Sequence, residues 1–89
     1  MFAPSLLHLS LAFSVVEPSV LRRVFHRCSG LRSVSLLGIA GLRPDALEFL
    51  QQHCSQLEQL WLSEHHYQEH EALLSRLFGA RVRMIRRVL

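Results

Sequence analysis

A group of histidines beside a glutamate is the part of this sequence best suited to metal chemistry. His66, Glu69 and His70 match the H-x-x-E-H motif, in which two histidines on a helix bind zinc and the glutamate acts as a general base. A hydrolytic site also needs a third protein ligand and a shaped pocket, and 89 residues built from short repeats offer neither. We therefore expect His65, His66 and His70 to form a solvated polar face at a loop-to-helix junction, with no metal, no cofactor and no catalytic residue. A metal-dependent hydrolase is an alternative.

Arginine is concentrated near the end of the chain. The ten residues counted as lysine or arginine are all arginine, and the formal net charge is +3. Arg76, Arg81, Arg83, Arg86 and Arg87 could contact nucleic acid or an acidic partner. From Arg81 to Arg87, no aromatic residues are interleaved for base stacking. We favour the interpretation that these charges protect a terminal strand from edge pairing, and a basic nucleic-acid-binding fragment is a further alternative.

The two cysteines make a poor disulfide framework. Cys28 and Cys54 each precede the first leucine of a predicted strand by three residues, so they occupy equivalent positions. We expect two buried thiols stacked in neighbouring coils, where they act as small hydrophobic side chains. Free thiols fit a reducing compartment, so the cytoplasm is the expected location and the nucleus is the second choice.

The sequence contains a unit that recurs about every 26 residues. The pattern Leu-x-x-Leu-x-Leu begins at Leu6, returns as Leu31-x-x-Val34-x-Leu36, and returns again at Leu57. Pro18 and Pro44 recur with the same period. A period of this length with this core predicts an α/β leucine-rich-repeat solenoid, with a parallel sheet on the concave face and helices on the convex face. Solenoids bind partners along the concave face.

The repeat predicts the position of each element. Strands are expected at residues 6–11, 31–36 and 57–62, and helices at 18–27, 44–53 and 69–78. The repeats then span about 4–28, 29–54 and 55–81, and 82–89 form a closing strand or tail. Residues 1–16 are mostly apolar and lack a polar cap, so we expect one small domain that is the C-terminal part of a longer solenoid. No apolar run reaches the length of a membrane span.

Alternation within each strand divides core positions from binding positions. The predicted core comprises Leu9, Leu11, Val34, Leu36, Leu60 and Leu62, with Cys28 and Cys54. The predicted outward rows are His8, Ser33 and Gln59; then Ser10, Ser35 and Trp61; then Ala12, Leu37 and Ser63. From these rows we select Trp61, Leu37, Gln59, His8 and Ser35 as partner-binding residues. Trp61 is the main candidate, because tryptophan is strongly enriched at binding hot spots. The alternative is that its ring folds back on a neighbouring strand.

Two stretches resemble a known repeat family. Cys28-Ser-Gly-Leu31-Arg-Ser-Val34-Ser-Leu36 and Cys54-Ser-Gln-Leu57-Glu-Gln-Leu60-Trp-Leu62 are similar to the cysteine-containing leucine-rich repeat of F-box/leucine-rich-repeat proteins. The second cysteine of that repeat is replaced by Ser14, Ile39 and His65, and no F-box lies in these residues.

The resemblance implies the substrate-recognition part of a ubiquitin ligase adaptor, which is a binding protein and not an enzyme. Its partner would be a protein client on the concave face, and ligase core subunits would be recruited only through an upstream F-box. A leucine-rich-repeat binding module unrelated to ubiquitination is the principal alternative. We expect neither a membrane nor nucleic acid as a partner.

Overall fold

Strands and helices alternate along most of the chain. The computed structural model describes residues 7–40 and 42–88. Its elements are β1 (His8–Ser10), α1 (Pro18–Arg27), β2 (Ser33–Ser35), α2 (Pro44–His53), β3 (Gln59–Ser63), α3 (Glu64–Glu69), α4 (Glu71–Phe78) and β4 (Arg83–Arg87). Leu6, at the predicted start of the first strand and repeat, lies outside the described residues, as do Gly41 and Leu89.

The four strands form one parallel sheet in the order β1-β2-β3-β4. Leu9, Val34, Leu60 and Met84 lie opposite one another in register across the four strands. The α/β class, the parallel sheet and the closing strand are therefore confirmed. The register also places positions about one period apart next to each other, as the spacing predicts.

The strands β2 and β3 begin with the same backbone connection. The Leu7 carbonyl accepts hydrogen bonds from the N–H groups of Arg32 and Ser33 at 2.7 and 3.0 Å. The Arg32 carbonyl does the same for Glu58 and Gln59, at 2.7 and 2.9 Å. These hydrogen bonds set the register between the strands. The register matters because a slip of one residue would turn every apolar side chain to the opposite face.

The first two helices have the predicted bounds. Pro18 and Pro44 lie in the first turn of α1 and α2, where a missing N–H group removes no helical hydrogen bond. At the other end, the N–H groups of Cys28 and Cys54 donate to the carbonyls of Val24 and Leu50, both at 2.9 Å. Local signals at both ends therefore agree with the periodicity of the leucines.

The predicted third helix, residues 69–78, is wrong in its first part. Two helices are present instead. The first begins at Glu64, and the helical conformation is interrupted at His70, which has φ −115° and ψ 20°. Glu64 stands in the first turn of α3, where a carboxylate interacts favourably with the positive end of the helix. Gly79, with φ 56°, ends α4 in a conformation that glycine adopts readily.

The helices cover one face of the sheet and enclose the core. Val34, Leu36, Leu60 and Leu62 are fully buried there. They pack with helix residues that include Leu21, Phe25, Leu47, Leu50, Leu74 and Phe78. Leu9 and Leu11 are half-buried against this cluster, because within residues 7–40 and 42–88 the strand β1 pairs with β2 alone. Among the described residues, no helix is long and apolar enough to cross a membrane.

Candidate partner-binding face

The face of the sheet opposite the helices carries rows of polar and apolar side chains. The first row is His8, Ser33, Gln59 and Arg83, and the second is Ser10, Ser35, Trp61 and Ile85. We call these two rows, together with Arg87, the open face. Residues in register on neighbouring parallel strands lie about 5 Å apart, so each row is a continuous line across the sheet.

Trp61 and Ile85 form the apolar centre of the open face. They lie opposite each other on β3 and β4, and both are half-buried. On β4, Arg83 and Arg87 stand two residues before and after Ile85, so they share its face. The Arg87 guanidinium lies 5.4 Å from the centre of the Trp61 ring, within the range of a cation–π contact. An indole and an aliphatic side chain are thus bordered by two positive charges.

The structure brings some of the five predicted binding residues together. Ser35 lies directly opposite Trp61, and Gln59 lies two residues before Trp61 on the same face. His8 is exposed, but it is two strands away from Gln59 in its row. Leu37 follows the end of β2, where its carbonyl accepts the Phe13 N–H at 2.8 Å. Ser35, Gln59 and Trp61 therefore form the compact part of the prediction.

Sequence reasoning missed three residues of this surface. Ile85 is out of phase with the evenly spaced Val82, Met84 and Val88, but it was not selected as a binding residue. Arg83 and Arg87 were interpreted as charges that protect an edge. The structure places all three on the open face, while Met84 packs against the core on the other face. The spacing Arg83-x-Ile85-x-Arg87 was the available signal, because alternate residues of a strand share one face.

Ser63 does not line an open row as predicted. It is fully buried, and its Oγ accepts a hydrogen bond from the Gly38 N–H at 2.8 Å. The loop after β2 therefore covers the end of β3. Ser63 is therefore not part of the predicted third row, and its hydroxyl group stabilises the loop instead.

The histidine group was expected to be a solvated face, and this is wrong for His66. It lies on α3 and is 7% exposed, and its Nδ1 atom has no hydrogen-bond partner among the described residues. Burial lowers its pKa below 6.5, and the neighbouring His65 acts in the same direction. His70 Nε2 lies 2.9 Å from Glu69 Oε1 but makes no aligned hydrogen bond. Within residues 7–40 and 42–88, no three His, Cys, Asp or Glu side chains are arranged to hold a metal ion.

Cys28 and Cys54 lie in the core as free thiols. The Cys54 thiol points toward the carbonyls of Cys28 and Phe25, with Sγ–O distances of 3.6 and 3.7 Å. Burial, with a smaller contribution from Cys28, raises the pKa of Cys54 to about 11. A thiol held protonated in this way is a weak nucleophile, so Cys54 contributes packing and offers no reactive group.

Comparisons with protein families, curated proteins and solved structures found no match for this chain. The chemistry of the open face is therefore the basis for a functional proposal.

Proposed function

We propose that this chain is a leucine-rich-repeat solenoid module that binds a protein partner across its open face. The observation that carries the proposal is the Trp61–Ile85 pair, which joins β3 to the edge strand β4 on a parallel sheet face that none of the described helices covers. Aromatic residues and arginine are enriched at protein interfaces, and the strongest contributions come from anchors near the centre.

The solenoid form is supported by the repeated strand starts and helix ends. The carbonyls of Leu7 and Arg32 make equivalent hydrogen bonds one period apart, and so do the N–H groups of Cys28 and Cys54. Repeats that each contact only their neighbours give extended surfaces suited to binding other proteins.

A more specific form of the proposal is the substrate-recognition part of an F-box-type ubiquitin ligase adaptor. It rests on the resemblance of the segments that begin at Cys28 and Cys54 to cysteine-containing leucine-rich repeats. The burial of both thiols at equivalent positions agrees with that resemblance. In this form, the partner is a protein client destined for ubiquitination, and the module works in the cytoplasm or nucleus.

The test uses the full chain as bait in cell extract, followed by an affinity measurement with the purified partner. Trp61→Ala should weaken binding by about thirtyfold, because removal of a central aromatic anchor typically costs about 2 kcal/mol. Ile85→Ala should weaken the same interaction, and both variants should remain folded. Recovery of ligase core subunits together with the client would support the adaptor role.

Two controls separate binding from folding. Phe13→Ala removes an aromatic ring that is 72% exposed away from the two rows, and it should leave affinity unchanged. Leu60→Ala removes a fully buried side chain and should destabilise the fold by about 2–5 kcal/mol. Equal loss of stability in Trp61→Ala and Leu60→Ala would show that the indole is a core residue. Unchanged affinity in Trp61→Ala would show that the partner binds elsewhere.

A further inference from the structure

A second surface feature lies on the helical side of the molecule, away from the open face. A groove of about 580 Å³ runs between α1 and α2. Arg22, Arg23 and His26 line it from α1, and Phe49 and His53 line it from α2. Its volume falls within the range of about 300–1,000 Å³ that is typical of ligand sites. Nothing in the proposed role of the open face uses this groove.

The groove has an apolar part and a histidine pair. The Arg22 guanidinium lies 5.5 Å from the centre of the Phe49 ring, which is half-buried and packed against the core. The rings of His26 and His53 meet edge to face, with their centroids 5.2 Å apart. Both helices are tied to the sheet by buried leucines, so the lining residues are held on rigid elements.

The charge of the groove is one-sided. The α1 segment, residues 18–27, contains no Asp or Glu, and in the described part of the chain no acidic side chain lines the groove. Glu48 of α2 lies 3.8 Å from Arg76 of α4. Asp45 lies one helical turn before Phe49 on α2, and it does not line the groove. Arg22 and Arg23 therefore bring positive charge into the groove without a carboxylate beside them in it.

We infer that this groove binds a short acidic segment of a partner protein. Its carboxylates would pair with Arg22 and Arg23, since the guanidinium group matches a carboxylate in a two-point contact. An apolar side chain of the segment would pack beside Phe49. Single-stranded nucleic acid is the weaker fit, because base stacking needs a free aromatic face. Here the Arg22 guanidinium lies over the Phe49 ring.

The test is titration of the full chain with a fluorescent peptide of alternating glutamates and leucines, followed by NMR amide mapping. The shifts should concentrate on α1 and α2. Arg22→Gln and Arg23→Gln should each weaken binding about tenfold, the value of one charge-assisted hydrogen bond. Arg81→Gln is the matched control, because it removes the same charge from an exposed arginine that does not line the groove. It should change affinity less than twofold.

Four results would overturn the inference. The first is an equal loss of affinity in Arg81→Gln, which would indicate attraction by net charge alone. The second is equal binding of a peptide with glutamine in place of glutamate. The third is a map of shifts centred on Trp61, which would assign the peptide to the open face. The fourth is tighter binding of a single-stranded oligonucleotide at the same residues, which would assign the groove to nucleic acid. Trp61→Ala should leave peptide binding at the groove unchanged, so the two proposed surfaces can fail separately.

Discussion

Ser63 and Gly38 connect the end of β3 to the loop that follows β2. The Gly38 N–H donates to the fully buried Ser63 Oγ at 2.8 Å. This contact joins neighbouring strand–helix units through a buried side chain. At the starts of β2 and β3, the backbone hydrogen bonds are accompanied by an exposed ion pair between Arg32 and Glu58 at 3.8 Å. It also keeps the Gly38 loop against the end of the open face, close to Leu37.

Loss of that hydroxyl should destabilise the fold. Ser63→Ala leaves the half-buried Gly38 N–H without its partner, and loss of such a hydrogen bond costs about 1 kcal/mol. Ser35→Ala, a half-buried serine on the open face, is the control and should change stability by less than about 0.5 kcal/mol. Urea unfolding measures both variants. Equal midpoints for Ser63→Ala and the parent chain would mean that water replaces the hydroxyl.

Phe13 adopts a backbone conformation that suits glycine. Its φ is 59°, close to the 63° of Gly38 at the equivalent turn one repeat later. A left-handed conformation costs a non-glycine residue about 1–2 kcal/mol, and glycine loses about 0.5–1 kcal/mol through greater freedom in the unfolded chain. Phe13→Gly should therefore stabilise the protein by up to about 1 kcal/mol. Val15→Gly, at an exposed position without positive φ, should destabilise it, and thermal unfolding that shows the reverse order would contradict this account.

The elements that were predicted correctly are those whose signals are local. The bounds of α1 and α2 follow from a proline in the first turn and leucines on one face, and short-range sterics and burial determine both. The α3 helix was missed because its buried residue is His66, which breaks the apolar periodicity on which the prediction depended. Burial of a histidine depends on how α3 packs against the sheet, and the spacing of residues does not encode that packing.

The open face was predicted in its centre and missed at its edge. Alternation within β3 is sufficient to place Trp61 opposite the core side. For β4, the even spacing of Val82, Met84 and Val88 indicates which face is apolar, but it does not show which strand β4 pairs with. Pairing of Met84 with Leu60 brings Ile85 beside Trp61. That pairing is a tertiary contact, so the tail sequence could place Arg83, Ile85 and Arg87 on one face of a strand but could not place that face beside Trp61.

The Cys54 thiol should be protected from chemical modification, and its ionisation should lower the stability of the fold at alkaline pH. Its pKa is raised from 9.0 to about 11, mainly by burial, so the folded state retains the proton more strongly than the unfolded chain does. The stability that this provides is complete below pH 9 and is lost as the pH rises from 9 toward 11. Modification by a thiol reagent at pH 8 should proceed only as fast as the protein unfolds. Rapid labelling of Cys54 in the folded protein, at a rate independent of urea, would contradict its burial.

The first strand–helix unit should promote self-association. Leu7, Phe13, Val15 and Val20 belong to this unit and are 43%, 72%, 86% and 44% exposed. Exposed apolar patches favour contact between protein molecules. Sedimentation of the full chain should show mass increasing with concentration, and the double variant Val15→Ser, Val20→Ser should reduce that increase. Val88→Ser, at an 87% exposed position in the last part of the chain, is the control. A monomer at all concentrations would refute the expectation.

His66 should make the protein sensitive to mild acid. Its Nδ1 atom is buried without a hydrogen-bond partner, so protonation would place a charge where water cannot solvate it. Burial is the largest cause of its lowered pKa; His65 and His70 add to the effect, and Glu69 opposes it.

The sign of the pH dependence follows from that shift. Because the folded pKa lies below the unfolded value of 6.5, the unfolded chain binds the proton more readily. The stability contributed by neutral His66 is therefore complete above pH 6.5 and declines as the pH falls from 6.5 toward the folded pKa. Urea midpoints measured between pH 7.5 and pH 5 should fall in the parent chain, and His66→Leu should flatten that fall. His8→Gln, a change at an exposed histidine, should leave the slope unchanged. If the urea midpoint of His66→Leu falls with pH as steeply as that of the parent chain, the acid sensitivity comes from another group and not from His66.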